Sequence, residues 1–74
     1  MTLNKLEMNK EAKVIKIEIK SSIKRRLLDL GIIKGTHIKP VLKSPSGSPI
    51  AYEIKGTLIA LRNDDAEKIL VEEI

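Results

Sequence analysis

The sequence predicts an all-β fold with one short helix, because short runs of β-branched residues alternate with turn residues along most of the chain. Residues 13–20 alternate apolar and charged side chains at the period of a half-buried strand. Residues 22–30 carry the one convincing helical pattern, and three or four further short apolar runs are separated by Pro, Gly and Ser. Five short strands with a helix between the first two indicate a small SH3-like β-barrel of about five strands, forming a single domain over residues 1–74.

The first strand is predicted from its alternation. Ile15, Ile17 and Ile19 fall on one face, which we expect to be buried. The intervening charged positions fall on the other face and are Lys16, Glu18 and Lys20.

The helix is predicted from its caps and its apolar stripe. Ser22 is a favourable N-cap residue, and Gly31 suits the position just after the C-terminus. Ile23, Leu27 and Leu30 share one helical face, which we expect to pack against the barrel.

The remaining segments are predicted from local patterns. Leu3 and Leu6 indicate one helical turn laid on the body, and Asn9-Lys10 indicates a turn. Pro40 lacks an N–H, so we expect an edge or a bulge at its position in the second strand. Gly56 is expected to turn the third strand into the fourth. The predicted strands span residues 36–42, 50–55, 57–61 and 69–72, with a turn at 44–49 and a capped helical turn at 63–68.

Composition limits both the core and the location. The chain has 74 residues and no cysteine, so disulfides and thiolate zinc sites are excluded. A chain of this length buries only about 60% of its unfolded surface, so its core is thin. Residues 1–5 lack the apolar stretch of a signal peptide, and no apolar run is long enough for a membrane span. We therefore expect a cytoplasmic protein.

The charge is positive and unevenly distributed. The formal net charge is +4, with +8 in residues 1–62 and −4 in residues 63–74. A basic body attracts anionic partners, so nucleic-acid binding by a basic SH3-like barrel is an alternative function. Tyr52 is the only aromatic residue, however, so base stacking has almost no platform.

Catalytic and metal-binding patterns are weak. No cysteine, no phosphate-binding glycine loop and no serine with a base at a suitable spacing is present, so we expect no enzyme activity. His37 is the only imidazole, and its neighbours at strand spacing are Gly35 and Lys39, which do not bind metals. The acidic cluster of Asp64, Asp65 and Glu67 is explained by capping and by the dipole of a helical turn. No catalytic, cofactor-binding or metal residue is therefore assigned.

The helix also carries the best candidate for a contact surface. Lys24, Arg25 and Arg26 are assigned to its first turn, where the macrodipole disfavours cations, and Arg25 can pair with Asp29. Leu28 lies off the apolar stripe, so it is either a partner contact or a residue packed under the first strand. The predicted partner-binding residues, drawn from the helix, the turn and the third strand, are Lys24, Arg25, Leu28, Pro45, Ser46, Gly47, Pro49, Ile50 and Tyr52.

Several blocks together resemble the ferrous iron transport protein A (FeoA) family. Residues 26–35, Arg-Leu-Leu-Asp-Leu-Gly-Ile-Ile-Lys-Gly, are similar to its Arg-Leu-x-x-Leu-Gly-[Ile/Leu]-x-x-Gly core, and Ala60-Leu61-Arg62 is similar to a later motif. A small-residue turn and proline before a strand ending in glycine, at 44–56, and the closing apolar residues at 69–71 extend the resemblance along nearly the whole chain. The departures are Asn9-Lys10, where Pro-Gly is usual, and residues 20–22, where glycines are frequent.

The resemblance implies a fold, a partner and a cargo. It implies an SH3-like barrel that assists a membrane ferrous iron transporter of the FeoB type, which carries a cytoplasmic nucleotide-binding domain. It also leaves weak binding of ferrous iron or another divalent transition metal open. The same fold occurs as the C-terminal domain of iron-dependent repressors, so a regulatory domain of that kind is a second alternative.

Overall fold

The computed structural model describes residues 1–19 and 22–74, in which five strands, two α-helices and a 3-10 turn follow one another along the chain. The predicted strand position Lys20 therefore lies outside the described residues, as does the side chain of Ile23. The elements are the 3-10 turn Leu3–Lys5, β1 (Ala12–Ile17), α1 (Ser22–Asp29), β2 (His37–Lys43), β3 (Ile50–Ile54), β4 (Thr57–Leu61), α2 (Asn63–Ala66) and β5 (Ile69–Glu73).

All described strand pairs are antiparallel, and the order across the sheet is β4-β3-β2-β1-β5. Five antiparallel strands with few short helices confirm the predicted all-β class. β5 pairs with β1, and in the described part of the chain β4 and β5 form the two edges of the sheet.

A β-bulge in β1 corrects the predicted burial of this strand. The register with β5 shifts between Val14 and Lys16, which leaves Ile15 as the extra residue. A bulge exchanges the two faces of a strand beyond it. Ala12 and Val14 are therefore buried before it, whereas Ile17 is partly buried after it and Ile15 is exposed. The prediction that Ile15 faces the core is wrong.

β2 and the β3–β4 hairpin follow their predictions closely. The register of β2 with β3 shifts between Pro40 and Leu42, so a bulge, one of the two features expected at the proline, lies at the residue that follows it. Ile50, Tyr52 and Ile54 alternate along β3, share one face and are all buried. Lys55 and Gly56 connect β3 to β4 with positive φ angles of 52° and 82°, as a two-residue type I′ turn requires.

The core is almost entirely aliphatic and is completed by the N-terminal segment. Leu3 and Leu6 are buried, as the predicted helical turn required, and Asn9 has a positive φ of 68° in the predicted turn. Tyr52 is the only aromatic ring in this core, since the sequence has no Phe or Trp, and it is 1% exposed. Burial in apolar surroundings disfavours the phenolate and raises the pKa of Tyr52 to about 12.

Gly31 ends α1 in the left-handed conformation, with a φ of +93°. A Cβ at this position would meet the Lys55 side chain no closer than 3.8 Å, so the obstacle to substitution is the backbone conformation and not crowding. We expect Gly31→Val to lower the free energy of unfolding by about 1–2 kcal/mol because a β-branched residue is strained there. Gly31→Asn is the matched control, since Asn tolerates this conformation. Equal stability of the two variants in urea unfolding would contradict the assignment.

Tyr52 offers a direct test of the core. The chain has no Trp and no Cys, so phenolate absorbance reports this side chain alone. We expect it to titrate near pH 12 in the folded protein and near pH 10 in urea. Since the pKa is raised on folding, the Tyr52 contribution to stability is complete below pH 10 and is lost as the pH rises towards 12. A folded-state titration near pH 10 would show that Tyr52 is solvated.

Candidate docking site

The position of α1 is fixed by its C-terminal cap. The N–H of Ile32 donates to the carbonyl of Leu27 at 2.9 Å, and the N–H of Gly31 donates to that of Leu28 at 3.0 Å. These two bonds form a Schellman motif. Leu27 and Ile32, which the motif brings together, are both buried. α1 is thus held to the barrel through one side and presents its other side to solvent.

The exposed side of α1 carries Lys24, Arg25 and Leu28, the three helical residues predicted to bind a partner. Leu28 is 46% exposed, so it does not pack under the first strand. No acidic residue lies in the first turn of α1, and Lys24 and Arg25 there oppose the macrodipole. Arg26 lies in the last turn, which corrects its predicted position and makes its charge favourable to the helix. The two opposing cations are therefore not explained by helix stability.

Two further expectations for α1 are wrong. Leu30 is 40% exposed because the helix ends at Asp29 and the capping motif directs the chain inward only at Ile32. No ion pair joins Arg25 to Asp29 within residues 1–19 and 22–74. The helix includes Ser22 as its first residue, so Ser22 does not occupy the N-cap position predicted for it.

A groove of about 290 Å³ separates α1 from β4. Arg26 and Leu30 stand on the helical side, and Ala60 and Arg62 stand on the strand side. The other lining residues are Leu27, Ile59, Leu61 and Asp65. The sequence did not predict this groove, because its two sides are remote in the chain and Arg62 was identified only as part of a motif. It combines an apolar floor with two guanidinium groups, a surface suited to an anionic partner.

The turn at 44–49 is held rigidly beside α2. The N–H of Gly47 donates to the carbonyl of Ser44 at 2.8 Å, and the hydroxyl of Ser46 donates to the carbonyl of Ser48 at 3.0 Å. Asn63 clamps the turn from the next element: its backbone N–H donates to the Ser48 hydroxyl at 3.1 Å, and its side-chain amide donates to the Gly47 carbonyl at 3.3 Å. Exposed side chains on this turn include Pro45, Ser46 and Pro49.

The predicted partner-binding residues thus divide into three groups. Lys24, Arg25 and Leu28 share the outer side of α1, and the exposed turn residues lie beside α2. No hydrogen bond or ion pair in the described part of the chain joins these two groups directly. Ile50 and Tyr52 are 5% and 1% exposed and belong to the core, so their assignment to a contact surface is corrected. Both alternate with the outward residues of β3 and point into the barrel.

His37 lies on the barrel surface, where its Nδ1 is 2.6 Å from a carboxylate oxygen of Glu11. Both side chains are about half exposed. Within the described residues, no group of three or more His, Cys, Asp or Glu side chains converges as a metal site would. The geometry therefore supplies one imidazole–carboxylate pair and no preformed coordination sphere.

The acidic cluster has a structural explanation, although the capping part of the prediction is wrong. Asp64 and Asp65 lie in the first turn of α2, where negative charge is favourable. The N-cap residue is Arg62, and no side chain caps the helix. Neither helix in the described part of the chain has the length or apolar character needed to cross a membrane.

Comparison with known proteins gives one consistent family. The model of the FeoA domain matches residues 1–73. A protein of Campylobacter jejuni named for Fe(2+) transport protein A is 32% identical over 71 residues, which cover 96% of this chain and 96% of that protein. A fusion of Fe(2+) transport protein A with the Fe(2+) transporter FeoB from Porphyromonas gingivalis is 32% identical over 72 residues. That match covers 97% of this chain but only 8% of the fusion protein.

Solved structures agree with the sequence relatives. FeoA from Stenotrophomonas maltophilia is 33% identical to this chain. Its crystal structure was determined in complex with zinc, and it is described as a prokaryotic SH3 domain protein. It superposes with a TM-score of 0.86 and covers 97% of this chain and 89% of its own. The SH3-like architecture predicted from the strand pattern is thereby confirmed. On the full-length family match and these relatives, the chain belongs to the FeoA family, which is involved in ferrous iron transport.

Proposed function

We propose that this protein is a cytoplasmic accessory of ferrous iron transport that docks on the cytoplasmic domain of a FeoB-type membrane transporter. The observation that carries the proposal is the fusion protein, in which a relative of nearly this whole chain is joined to FeoB in one polypeptide. Joining two partners raises the effective concentration of one at the other, which favours association without any new contact.

The outer side of α1 supports docking at this place. Lys24 and Arg25 lie in the first turn of α1, where the helix dipole disfavours positive charge. Their charges therefore lower the stability of the helix. Leu28 lies one helical turn after these two residues on the same side of α1, and nearly half of it is exposed. Cations of this kind speed encounter with an acidic surface, and a central apolar side chain slows dissociation.

The turn at 44–49 supplies a second, rigid part of the proposed surface. Its exposed residues Pro45, Ser46 and Pro49 lie on a loop clamped by Asn63, and loops on rigid barrels commonly carry recognition. Such a surface is small, so we expect it to bury under about 1,200 Å² in total and to bind transiently.

The variants Arg25→Glu and Leu28→Ala separate the two contributions. We expect Arg25→Glu to slow association with the isolated transporter domain and to reduce its dependence on salt. We expect Leu28→Ala to dissociate about tenfold faster, equivalent to about 1.4 kcal/mol, with the fold intact. Surface-immobilised kinetics over a range of salt concentrations measures both effects.

Matched controls come from the rest of the surface. Leu42→Ala removes a leucine of β2 that is even more exposed than Leu28, and Lys10→Glu reverses a charge in the N-terminal turn. Normal binding by both α1 variants would move the docking face elsewhere. Equal, salt-sensitive binding to unrelated polyanions such as DNA would favour the nucleic-acid alternative.

The protein is not expected to bind ferrous iron tightly by itself. The one imidazole is paired with Glu11, and no third ligand converges on it among the described residues. Anaerobic calorimetry with ferrous iron should show no stoichiometric binding at micromolar affinity. Tight binding that His37→Ala abolishes, but that Asp64→Ala leaves unchanged, would overturn this expectation and place a metal site at the His37–Glu11 pair.

A further inference from the structure

The outer edge of β4 carries unpaired backbone groups. The type I′ turn makes Ile54 and Thr57 the first hydrogen-bonded pair of the β3–β4 hairpin. Antiparallel pairs alternate between bonded and non-bonded, so the pairs of Glu53 with Leu58 and of Ala51 with Ala60 are non-bonded. The N–H and C=O groups of Leu58 and Ala60 therefore point away from β3.

No described residue supplies a partner for these groups. β4 is an edge of the sheet, and no turn or loop bond recorded among residues 1–19 and 22–74 involves Leu58 or Ala60. Proteins usually protect such an edge with a lysine, a proline or a bulge. The sequence of β4, Thr-Leu-Ile-Ala-Leu, contains none of these, and its pairing with β3 runs without a register shift.

The groove beside α1 opens along this edge and is predominantly cationic. Arg26 and Arg62 line it, and neither forms an ion pair with a described residue. Lys55 lies at the end where α1 and the β3–β4 turn meet, since its Nζ is the nearest atom to a Cβ built on Gly31. Asp65 is the one carboxylate among the lining residues.

We propose that the outer edge of β4 and the α1–β4 groove bind an extended acidic polypeptide segment, which adds to the sheet as a further strand. Main-chain bonds to Leu58 and Ala60 supply affinity, and the cations supply preference for acidic side chains. A second copy of this chain is disfavoured as the occupant, because edge-to-edge pairing would bring the arginines of both copies together. This surface is distinct from the outer side of α1, and the inference does not depend on the transporter.

The test uses a fluorescently labelled decapeptide with alternating Glu and Val, acetylated and amidated at its ends. We expect anisotropy to show saturable binding, and a peptide with alternating Lys and Val should bind at least tenfold more weakly. Two further peptides carry N-methyl groups on every Glu or on every Val, which block opposite edges of an extended strand. One should lose at least tenfold in affinity and the other should not. Equal affinities of the two methylated peptides, or no binding of the unmethylated one at millimolar concentration, would overturn the proposal.

Substitutions in the protein test the same binding from the side of the β4 edge and the groove. Ala60→Pro removes only an outward N–H, and edge strands tolerate proline at such positions. It should weaken binding at least tenfold, whereas Ala60→Val, which keeps the N–H, should not. The double variant Arg26→Glu with Arg62→Glu should also bind at least tenfold more weakly, with Lys10→Glu as the charge control. This double variant decides the question if Ala60→Pro does not fold, and wild-type affinity in it would overturn the proposal.

Hydrogen exchange locates the bound segment. The amides of Leu58 and Ala60 should exchange rapidly in the free protein and at least tenfold more slowly with the Glu-Val peptide. Slow exchange of both amides before peptide is added, or a dimer of the free protein in sedimentation equilibrium, would show that the edge is already occupied and would overturn the proposal.

Discussion

The bulge at Ile15 is the constraint on which the arrangement of this small barrel depends. β1 lies between β2 and β5 and buries side chains along its whole length. In a regular strand, every second residue would face the core from one end to the other. The extra residue bends the strand and exchanges its faces, so Val14 and, beyond the strand, Ile19 both reach the core. Next to the bulge, Val14 accepts a hydrogen bond from the N–H of Gly35 and donates to the carbonyl of Thr36. The chain leaving α1 is thereby tied to the strand that precedes the helix, which fixes where α1 stands.

A thin aliphatic core has consequences for the surface. The chain has no cysteine and a single aromatic residue, so packing of branched aliphatic side chains carries the stability. A body of this size cannot cover all of its apolar residues, and single exposed leucines are ordinary. Here Leu28 lies on the outer side of α1, Leu30 follows the helix and lines the groove, and Leu58 lies on β4, so exposed apolar side chains occur on both elements that flank the groove. Apolar surface beside free cations and free backbone groups is the combination that polypeptide recognition uses.

The sequence predicted those parts of the fold that local signals determine. The β3–β4 hairpin is of this kind, because alternation and a Lys-Gly turn are both contained in it. The phase of β1 was predicted wrongly because a bulge depends on the register with β5, which is remote in sequence. Tyr52 was assigned to a contact surface because it is the only aromatic residue, and aromatic side chains are common in binding surfaces. Its alternation with Ile50 and Ile54 instead places it on the buried face of β3. The groove was missed since it forms only when folding brings Arg26 and Arg62 together.

The two proposed surfaces share one helix, and this explains the charge on it better than either surface does alone. An unprotected edge such as β4 carries a risk of pairing with other copies of the protein. Cations beside that edge oppose such pairing without blocking the backbone groups, whereas a lysine or proline within β4 would obstruct every partner. Arg26 faces the groove, and Lys24 and Arg25 extend the positive field around α1 to its outer side. The cost of Lys24 and Arg25 to the helix dipole is a few tenths of a kcal/mol to about 1 kcal/mol each. In return, the positive charge around the exposed edge repels other copies of the protein, which keeps it soluble. The same charge attracts acidic partners.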